Sequence, residues 1–372
     1  MVTAIVSDLH LGTVSGADLA VRPAVAERLC AAVSEADRVV VLGDLFEFRE
    51  RRPAEALEIS APFLSALGRA TEGKPVLIVP GNHDHELVRP ALDRARLDGR
   101  SALATEMTFG MGDGELARRV AALMPRTEVS LAYPGLWLRD DVWATHGHYL
   151  DMHLTVPRME CVVASVVARL TASPEKGAEI TPDFYEAALS PIYAFAYSVV
   201  QGSQGRAVTR GGNLSRSVWS RTNPSERRRS PSAIALGLAI PAAVGVLNAM
   251  GLGPFRADLS ATELRRAGLR AMGTVVESLG VEAEHVIFGH THRAGPLPGE
   301  AEGWFLPGGT QLTNTGSWLH EEVFVRDSGP SNPYWPGRVA WLEDQGPPRL
   351  AGLLDDFAVT ELRGHSAHLV KP

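Results

Sequence analysis

Residues 38–48 read RVVVLGDLFEF. Val39, Val40, Val41 and Leu42 are apolar at four consecutive positions. Side chains alternate across a strand, so such a run fills both faces and marks a strand in the middle of a sheet. Gly43 breaks the run and Asp44 follows directly. The same order recurs along the chain. Residues 3–7 (TAIVS) lead to Asp8 and His10, and residues 76–79 (VLIV) lead to Gly81, Asn82, His83 and Asp84. Residues 142–145 (VWAT) lead to His146, Gly147 and His148, and residues 286–288 (VIF) lead to Gly289, His290, Thr291 and His292. Residues 22–36 and 53–70 carry helical periodicity, with Pro23 suited to a first helical turn. Strands alternating with helices specify an α/β fold. Loops at the carboxyl ends of such strands are where open sheets bind ligands.

The 372-residue chain is 45% hydrophobic and carries 36 basic against 43 acidic residues, a net charge of −7. Its length allows two domains, or one domain with a large insertion. The acidic balance disfavours a general nucleic-acid binder. Cys30 and Cys161 lie in apolar, helical-looking stretches and read as buried thiols of a cytoplasmic protein, with neither a disulfide framework nor zinc-finger spacing. The opening residues, MVTAIVSDLH, have no basic segment and no long apolar core, so they do not read as a signal peptide.

Between residues 153 and 280 the character changes. MECVVASVVARL, AALSPIYAFAYSVV and SAIALGLAIPAAVGVLNAMGLG are strongly apolar, with polar stretches between them and a basic ERRR at 226–229. The expected organisation is a discontinuous domain of residues 1–152 and 281–357, interrupted by a mostly helical apolar insertion or cap at 153–280. Residues 233–253 approach the ~20 apolar residues that span a bilayer. Pro241, Asn248 and several glycines interrupt them, and a single crossing would place His290 and His292 opposite the other motifs. A buried helical cap, or an apolar surface resting on a membrane, fits better, and either suits an amphiphilic substrate. Residues 258–280 return as an amphipathic helix with Ser260 and Glu263 at capping-box spacing. Residues 304–354, with TQLTNTGSW, EEVFV and GRVAWLE, read as antiparallel strands completing a second sheet.

Five short motifs carry the chemistry: Asp8-Leu9-His10, Gly43-Asp44, Gly81-Asn82-His83-Asp84, His146-Gly147-His148 and Gly289-His290-Thr291-His292. Imidazole and carboxylate are the expected ligands for Mn, Fe or Zn in a mixed nitrogen and oxygen site. An aspartate in the middle of the set can bridge two cations, and an asparagine oxygen adds a neutral ligand. Two ions about 3.5–4 Å apart can clamp phosphate oxygens during in-line attack. Each motif alone is common by chance; all five, in order and each after an apolar strand, are not.

SDLHLG, GDLFEF, GNHDHE, THGH and FGHTH resemble the signature blocks of the calcineurin-like metallophosphoesterase superfamily. The resemblance implies a four-layered α/β/β/α sandwich, here with a large helical insertion, and two divalent metal ions as cofactors. It places Asp8, His10 and His292 on the first ion, Asn82, His146 and His290 on the second, and Asp44 between them. It makes His83 the histidine that contacts the phosphate and protonates the leaving group, with Asp84 hydrogen-bonded to it as its orienting partner. Hydrolysis by metal-activated hydroxide is the implied reaction. Within the superfamily the blocks look most similar to the UDP-2,3-diacylglucosamine pyrophosphatase branch, departing from it where His83 stands for an arginine and His148 for an aspartate. The expected partner is a phosphoester or diphosphate, lipid-linked or nucleotide-containing, with peripheral membrane contact through the insertion. A cyclic-nucleotide phosphodiesterase or nuclease is the second reading, and a non-catalytic scaffold of the same fold is the third. The role of His148 stays open between direct contact and support. Arg49, Arg51 and Arg52 form either a solvated face or a phosphate-facing cluster, and residues 314–317 (NTGS) are assigned to structure.

Overall fold

The computed structural model describes residues 1–99, 102–155, 180–202 and 261–363. The strand grammar becomes β1 (Thr3–Val6), β2 (Arg38–Leu42), β3 (Pro75–Val79), β4 (Glu106–Gly110), β5 (Glu128–Arg139), β6 (Val142–Thr145), β7 (His285–Phe288), β8 (Gln311–Asn314), β9 (Arg338–Leu342) and β10 (Arg349–Gly352). Helices α1 (Pro23–Val33) and α2 (Pro53–Ala70) follow β1 and β2, each with proline in its first turn, where a missing N–H costs no hydrogen bond. Helices α3 (Arg89–Leu97) and α4 (Glu115–Ala122) come next, and α5 (Pro182–Gly202), α6 (Ala261–Ser278), α7 (Glu322–Val325) and α8 (Val359–Leu362) complete the described set.

All ten strands join one sheet in the order β10-β9-β1-β2-β3-β5-β6-β7-β8, with β4 paired to β5. The pairs β1–β2, β2–β3 and β3–β5 are parallel, as are β6–β7 and β7–β8. The twelve-residue β5 serves both halves of the sheet: Glu128–Leu131 pairs with β3, and Gly135–Arg139 pairs antiparallel with β6.

Period-two alternation divides the strand residues between two cores. Ala4, Val6, Val39, Val41, Val76 and Ile78 pack with Leu29, Val33, Phe63 and Leu64 from α1 and α2. Ile5, Val40, Leu42, Val79, Leu136, Val142, Ala144, Ile287, Ala340 and Leu342 form a second cluster whose buried members all come from strands. A sheet that packs on itself without an intervening helix is a curled sheet, and helices cover its outer face. The fold is therefore a mixed α/β sandwich built on a large curled sheet, consistent with the sandwich that the sequence resemblance implies. Each fully buried leucine or valine contributes about 1.5–3 kcal/mol, so both cores anchor the strands from which the ligand loops emerge.

The described residues fall into two compact units. One holds Met1–Gly147 together with segments that begin at Tyr197 and at Glu282; the other holds His148–Ala196 and the segment that ends at Val281. In the second unit Tyr149 stacks on Tyr185 with ring centroids 4.5 Å apart, and the Tyr149 hydroxyl donates to Glu186 at 3.1 Å.

Two expectations about the tail change. GRVAWLE becomes β9, but it pairs antiparallel with β1 at the edge of the main sheet, and β8 runs parallel to β7, so no separate antiparallel sheet forms. EEVFV becomes the short helix α7 instead of a strand. Five residues are too few for periodicity to separate the two forms; here Val325 alone is buried, and Phe324 stacks on Tyr334. The apolar stretch at 233–253, the basic run at 226–229, Cys161 and Ser260 lie outside the described residues. Among the described residues, no helix is long and apolar enough to cross a membrane. Cys30 is buried, and burial pushes its thiol up to about 11.

Candidate metal centre

The ligand loops continue where the strands stop. Asp8 N–H donates to the Gly43 carbonyl at 3.0 Å, His10 N–H to the Asp44 carbonyl at 2.8 Å and Leu11 N–H to the Leu45 carbonyl at 2.9 Å, so the loops after β1 and β2 are laced together. Gly289 N–H donates to the His146 carbonyl at 3.0 Å, which joins the loops after β6 and β7. His290 N–H reaches both Asp8 carboxylate oxygens, at 3.2 and 3.1 Å, and links the two pairs of loops.

The backbone bends sharply at the expected ligands themselves. Among the described residues, six non-glycine residues have positive φ, and five of them are Asp8 (55°), His10 (45°), Asp44 (50°), His290 (66°) and His292 (59°). A left-handed conformation costs a residue with a Cβ about 1–2 kcal/mol, and such strain gathers at functional sites. Glycine is required beside them. A Cβ on Gly43 would lie 2.0 Å from the His146 ring, and one on Gly81 would lie 2.2 Å from Asp44 Oδ1.

Three groups of side chains converge: Asp8, His10 and His292; His10, Asp44 and His83; and Asp44, His146 and His290. His10 Nε2 lies 3.2 Å from His292 Nε2 and 3.6 Å from Asp44 Oδ2. His146 Nε2 lies 3.3 Å from Asp44 Oδ2 and 3.3 Å from Asn82 Oδ1. Asp44 thus faces both sides, and its Oδ1 also accepts the His83 N–H at 2.9 Å.

The other imidazole nitrogens are already taken. His10 Nδ1 meets Glu47 Oε2 at 3.0 Å, His292 Nδ1 meets Glu321 Oε2 at 3.1 Å, and His146 Nδ1 meets the Leu42 carbonyl at 3.0 Å. These partners only accept, so each Nδ1 carries the proton and each Nε2 turns a lone pair toward carboxylates that also only accept. Such a set repels itself unless a cation lies within it. Protons are one answer. Burial works against the imidazolium of His146, but Asp44 overcomes it and raises the group to about 9; likewise Asp8 and Glu321 raise His292 to about 10 against burial. Divalent ions are the other, and the residues fit two of them.

The seven ligands expected from the sequence lie around this cluster: Asp8, His10, Asp44, Asn82, His146, His290 and His292. His83 sits beside it, with Nε2 4.0 Å from Asp44 Oδ2 and 24% of its side chain exposed, against 2% for Asp44. Asp84 does not orient it. Asp84 is fully buried, and its carboxylate accepts backbone N–H groups of Leu45 at 2.7 Å, Phe46 at 3.3 Å and Gly81 at 2.7 Å. Burial and the neighbouring Asp44 push its carboxyl up to about 7, while the three N–H donors favour its ionised form. A side chain enclosed by the loops after β2 and β3 fixes those loops and has no oxygen directed at the adjacent ring.

Glu47 takes the orienting place. Its oxygens lie 2.8 and 2.7 Å from His83 Nδ1 as well as 3.0 Å from His10 Nδ1. Burial opposes its charge, but His83 and His10 hold its carboxyl below the usual range. Glu47 lies inside GDLFEF, three residues after Asp44, so the motif contained the signal. Glu321 stands 29 residues from its partner His292, outside any motif.

Of the arginine cluster, Arg49 reaches the site: its Nη1 lies 3.4 Å from His83 Nε2. Arg51 donates to the Gly12 carbonyl at 2.6 Å and stiffens the loop after His10. His148 belongs to none of the three groups; it is buried, edge-to-face with Tyr149 and Tyr193 at 4.9 and 5.7 Å. The NTGS segment supports the ligand loops. Asn314 Nδ2 donates to the Gly289 carbonyl at 2.7 Å, and Thr315 Oγ1 meets Ser7 Oγ at 2.6 Å, which in turn binds Asp8.

Residues 1–170 match the family model of the calcineurin-like phosphoesterases. No curated protein matches the chain. Among solved structures, a cold-active protein-tyrosine phosphatase of a psychrophilic Shewanella species aligns over 92% of this chain and 75% of its own, at 14% identity and a TM-score of 0.30. A dimetal phosphatase from Danio rerio aligns over 95% of this chain and 99% of its own, at 13% identity and a TM-score of 0.33. The family match and the site chemistry together make the chain a hydrolase acting on phosphoester bonds, with a site suited to two divalent ions.

Proposed function

We propose that the chain hydrolyses its phosphoester by a two-ion mechanism in which His83 donates the proton to the leaving-group oxygen. One observation carries this: three imidazoles with Nδ1 committed to Glu47, Glu321 and the Leu42 carbonyl aim Nε2 at Asp8 and Asp44. Two divalent ions, which Asp8, His10 and His292 and Asn82, His146 and His290 would hold with Asp44 between them, would neutralise charge on phosphate oxygens and supply a water acidic enough to attack at neutral pH. The side chains do the rest. Asp44 spaces the two ion positions, because His10 and His146 approach its Oδ2 at 3.6 and 3.3 Å. His83 is more exposed than Asp44 and keeps Nε2 toward the cluster, while Glu47 on Nδ1 fixes the ring. Arg49 next to Nε2 adds charge for a second phosphate oxygen.

The substrate we infer is amphiphilic, a lipid-linked or nucleotide-containing phosphoester or diphosphate. The apolar composition of residues 153–280 supports it. Burying each additional methylene contributes about 0.8 kcal/mol, so turnover at low substrate should climb along a matched series of acyl phosphoesters. A flat series with no liposome binding would remove lipids and leave a soluble phosphoester. The reaction itself is tested with aryl phosphates and bis-aryl phosphates in the presence of Mn²⁺: the chain should hydrolyse at least one class, and metal-loaded protein that turns over neither would be a scaffold.

A further inference from the structure

The loop between β2 and α2 carries Arg49, Arg51 and Arg52, all half-buried. The acids of the same loop are spent elsewhere. Glu47 faces His10 and His83, and its Oε1 accepts the Arg49 N–H at 3.1 Å. Glu50 Oε2 accepts the Thr13 hydroxyl at 2.8 Å and the Val14 N–H at 3.0 Å. Arg51 Nε donates to the Gly12 carbonyl at 2.6 Å. The first turn of α2 closes on the same glycine, where a Cβ would lie 3.1 Å from Ala56 Cα and 3.6 Å from Arg51 Cδ. Gly12 follows His10 closely in the chain, and Arg49 Nη1 lies 3.4 Å from His83 Nε2. The arginine loop therefore borders the cluster at His10 and at His83. Among the described residues, Arg51 and Arg52 form no ion pair with a carboxylate, and Arg52 Nε is buried without a hydrogen-bond acceptor. Asp18 accepts the Gly12 N–H at 2.8 Å and feels Arg51 through space, but burial prevails and raises its carboxyl above the usual range.

We propose that Arg51 and Arg52 form an oxyanion subsite beside the candidate metal centre, and that the substrate places there a second charged group that is not cleaved. The role toward substrate rests on the two-ion reading of the site. A guanidinium keeps its charge at any working pH, and a half-buried charge without a counter-ion is costly until a ligand supplies one. The group is a phosphate or a carboxylate, since both offer paired oxygens to the planar fork of an arginine. The chain as a whole carries a net charge of −7, so an anionic substrate gains most from a local cationic rim. Arg49 stands at His83 and Arg51 at Gly12, so different residues read the phosphoryl group under attack and the second anion.

The test starts from the full chain, stripped of metal and titrated with inorganic phosphate by calorimetry and phosphorus NMR. Wild type should bind one phosphate per chain. Arg51→Gln and Arg52→Gln should each weaken it about 10-fold, the scale of one charge-assisted hydrogen bond. Arg51→Gln also gives up the Gly12 contact, whereas Arg52→Gln breaks no ion pair and so separates binding from loop support. His146→Ala should leave the phosphate in place. Acetate titrated in parallel distinguishes the two sources, because the tighter anion names the group. The chain loaded with Mn²⁺ is then given alkyl phosphates of graded length whose far end is a methyl, a carboxylate or a phosphonate. At one length a charged end should raise kcat/KM about 10-fold through KM, and either glutamine variant should cancel the gain. Phosphate uptake that is absent from wild type, survives both glutamine variants or disappears in His146→Ala overturns the subsite. A charged end that brings no gain at any length overturns its role toward substrate. Phosphate held by Arg51 and Arg52 in a chain that turns over no phosphoester sinks the two-ion reading and leaves the subsite standing. Turnover without arginine-dependent phosphate binding sinks this inference alone.

Discussion

In the pocket of Asp8, His10 and His292 both imidazoles lean on side-chain carboxylates, Glu47 at 3.0 Å and Glu321 at 3.1 Å. In the pocket of Asp44, His146 and His290, His146 leans on the Leu42 carbonyl at 3.0 Å. The first arrangement is built from side chains, so mutation can remove it piece by piece. The second is written into the last residue of β2, where the supporting dipole belongs to the backbone and every substitution keeps it. The supports of His10 and His292 are thus tunable, whereas that of His146 is as fixed as the strand that presents it.

The largest effect should come from the one residue that both halves share. Asp44→Asn removes the charge that His10 and His146 approach at 3.6 and 3.3 Å. Ion uptake should fail on both sides and turnover should fall by on the order of 10³-fold, the scale of losing a principal electrostatic element. Metal analysis beside an aryl phosphate assay reads both; two retained ions with wild-type turnover would remove Asp44 from the bridging position.

His83→Ala should leave both halves loaded, because the ring is held by Glu47 and is not among the seven expected ligands. It should slow poor leaving groups by ~10²–10⁴-fold and good ones far less. The check is the slope of rate against leaving-group pKa, which steepens if a proton donor has been lost and stays put if His83 acts only through its charge.

Glu47→Gln touches the first half and the proton donor together, since one carboxylate serves His10 and His83. It should weaken ion binding about 10–100-fold and also reproduce part of the leaving-group effect. Asp84→Asn, by contrast, should act on stability, because its oxygens hold the Leu45, Phe46 and Gly81 N–H groups. A weakened hydrogen-bond acceptor of this kind costs about 1–3 kcal/mol, read as a lowered melting temperature. A leaving-group dependence in Asp84→Asn equal to that of His83→Ala would restore Asp84 as the orienting partner.

The smallest effect is a slope in pH. His146 is raised to about 9 and His292 to about 10 without metal. A histidine whose folded value lies above its unfolded one stabilises fully below about pH 6.5, and that stability is lost as pH rises through the folded value. Metal-free protein should therefore lose melting temperature from about pH 6.5 up to 9–10, and metal uptake at neutral pH should release protons. Calorimetry in two buffers of different ionisation enthalpy measures that release; identical heats in both would contradict protonated imidazoles at the site.

Much of this was legible because strand and site share one rule. RVVVL, VLIV, VWAT and VIF are apolar at successive positions, as central strands are, and each is followed within two residues by glycine or a polar residue of a metal motif, so the fold could be read together with an expected ligand set. What failed to show was orientation. Nothing in GNHDHE tells whether Asp84 turns to His83 or to backbone amides, because that depends on which loops enclose it. Glu47 was visible within its motif, though not its two hydrogen bonds, one to His10 and one to His83. Glu321 could not be seen: only the packing of α7 brings position 321 to His292. EEVFV was misjudged as a strand because five residues carry no decisive period.

The central claim is that this chain holds a pair of divalent ions on side chains from five strand-end loops. Its most direct measurement is elemental analysis of purified protein after equilibration with Mn²⁺ and removal of free metal, for wild type, His292→Ala and His146→Ala. The structure calls for two ions per chain in wild type, and for the loss of an ion from a different half in each variant. Wild-type protein that retains none, or variants that both retain two, would contradict it.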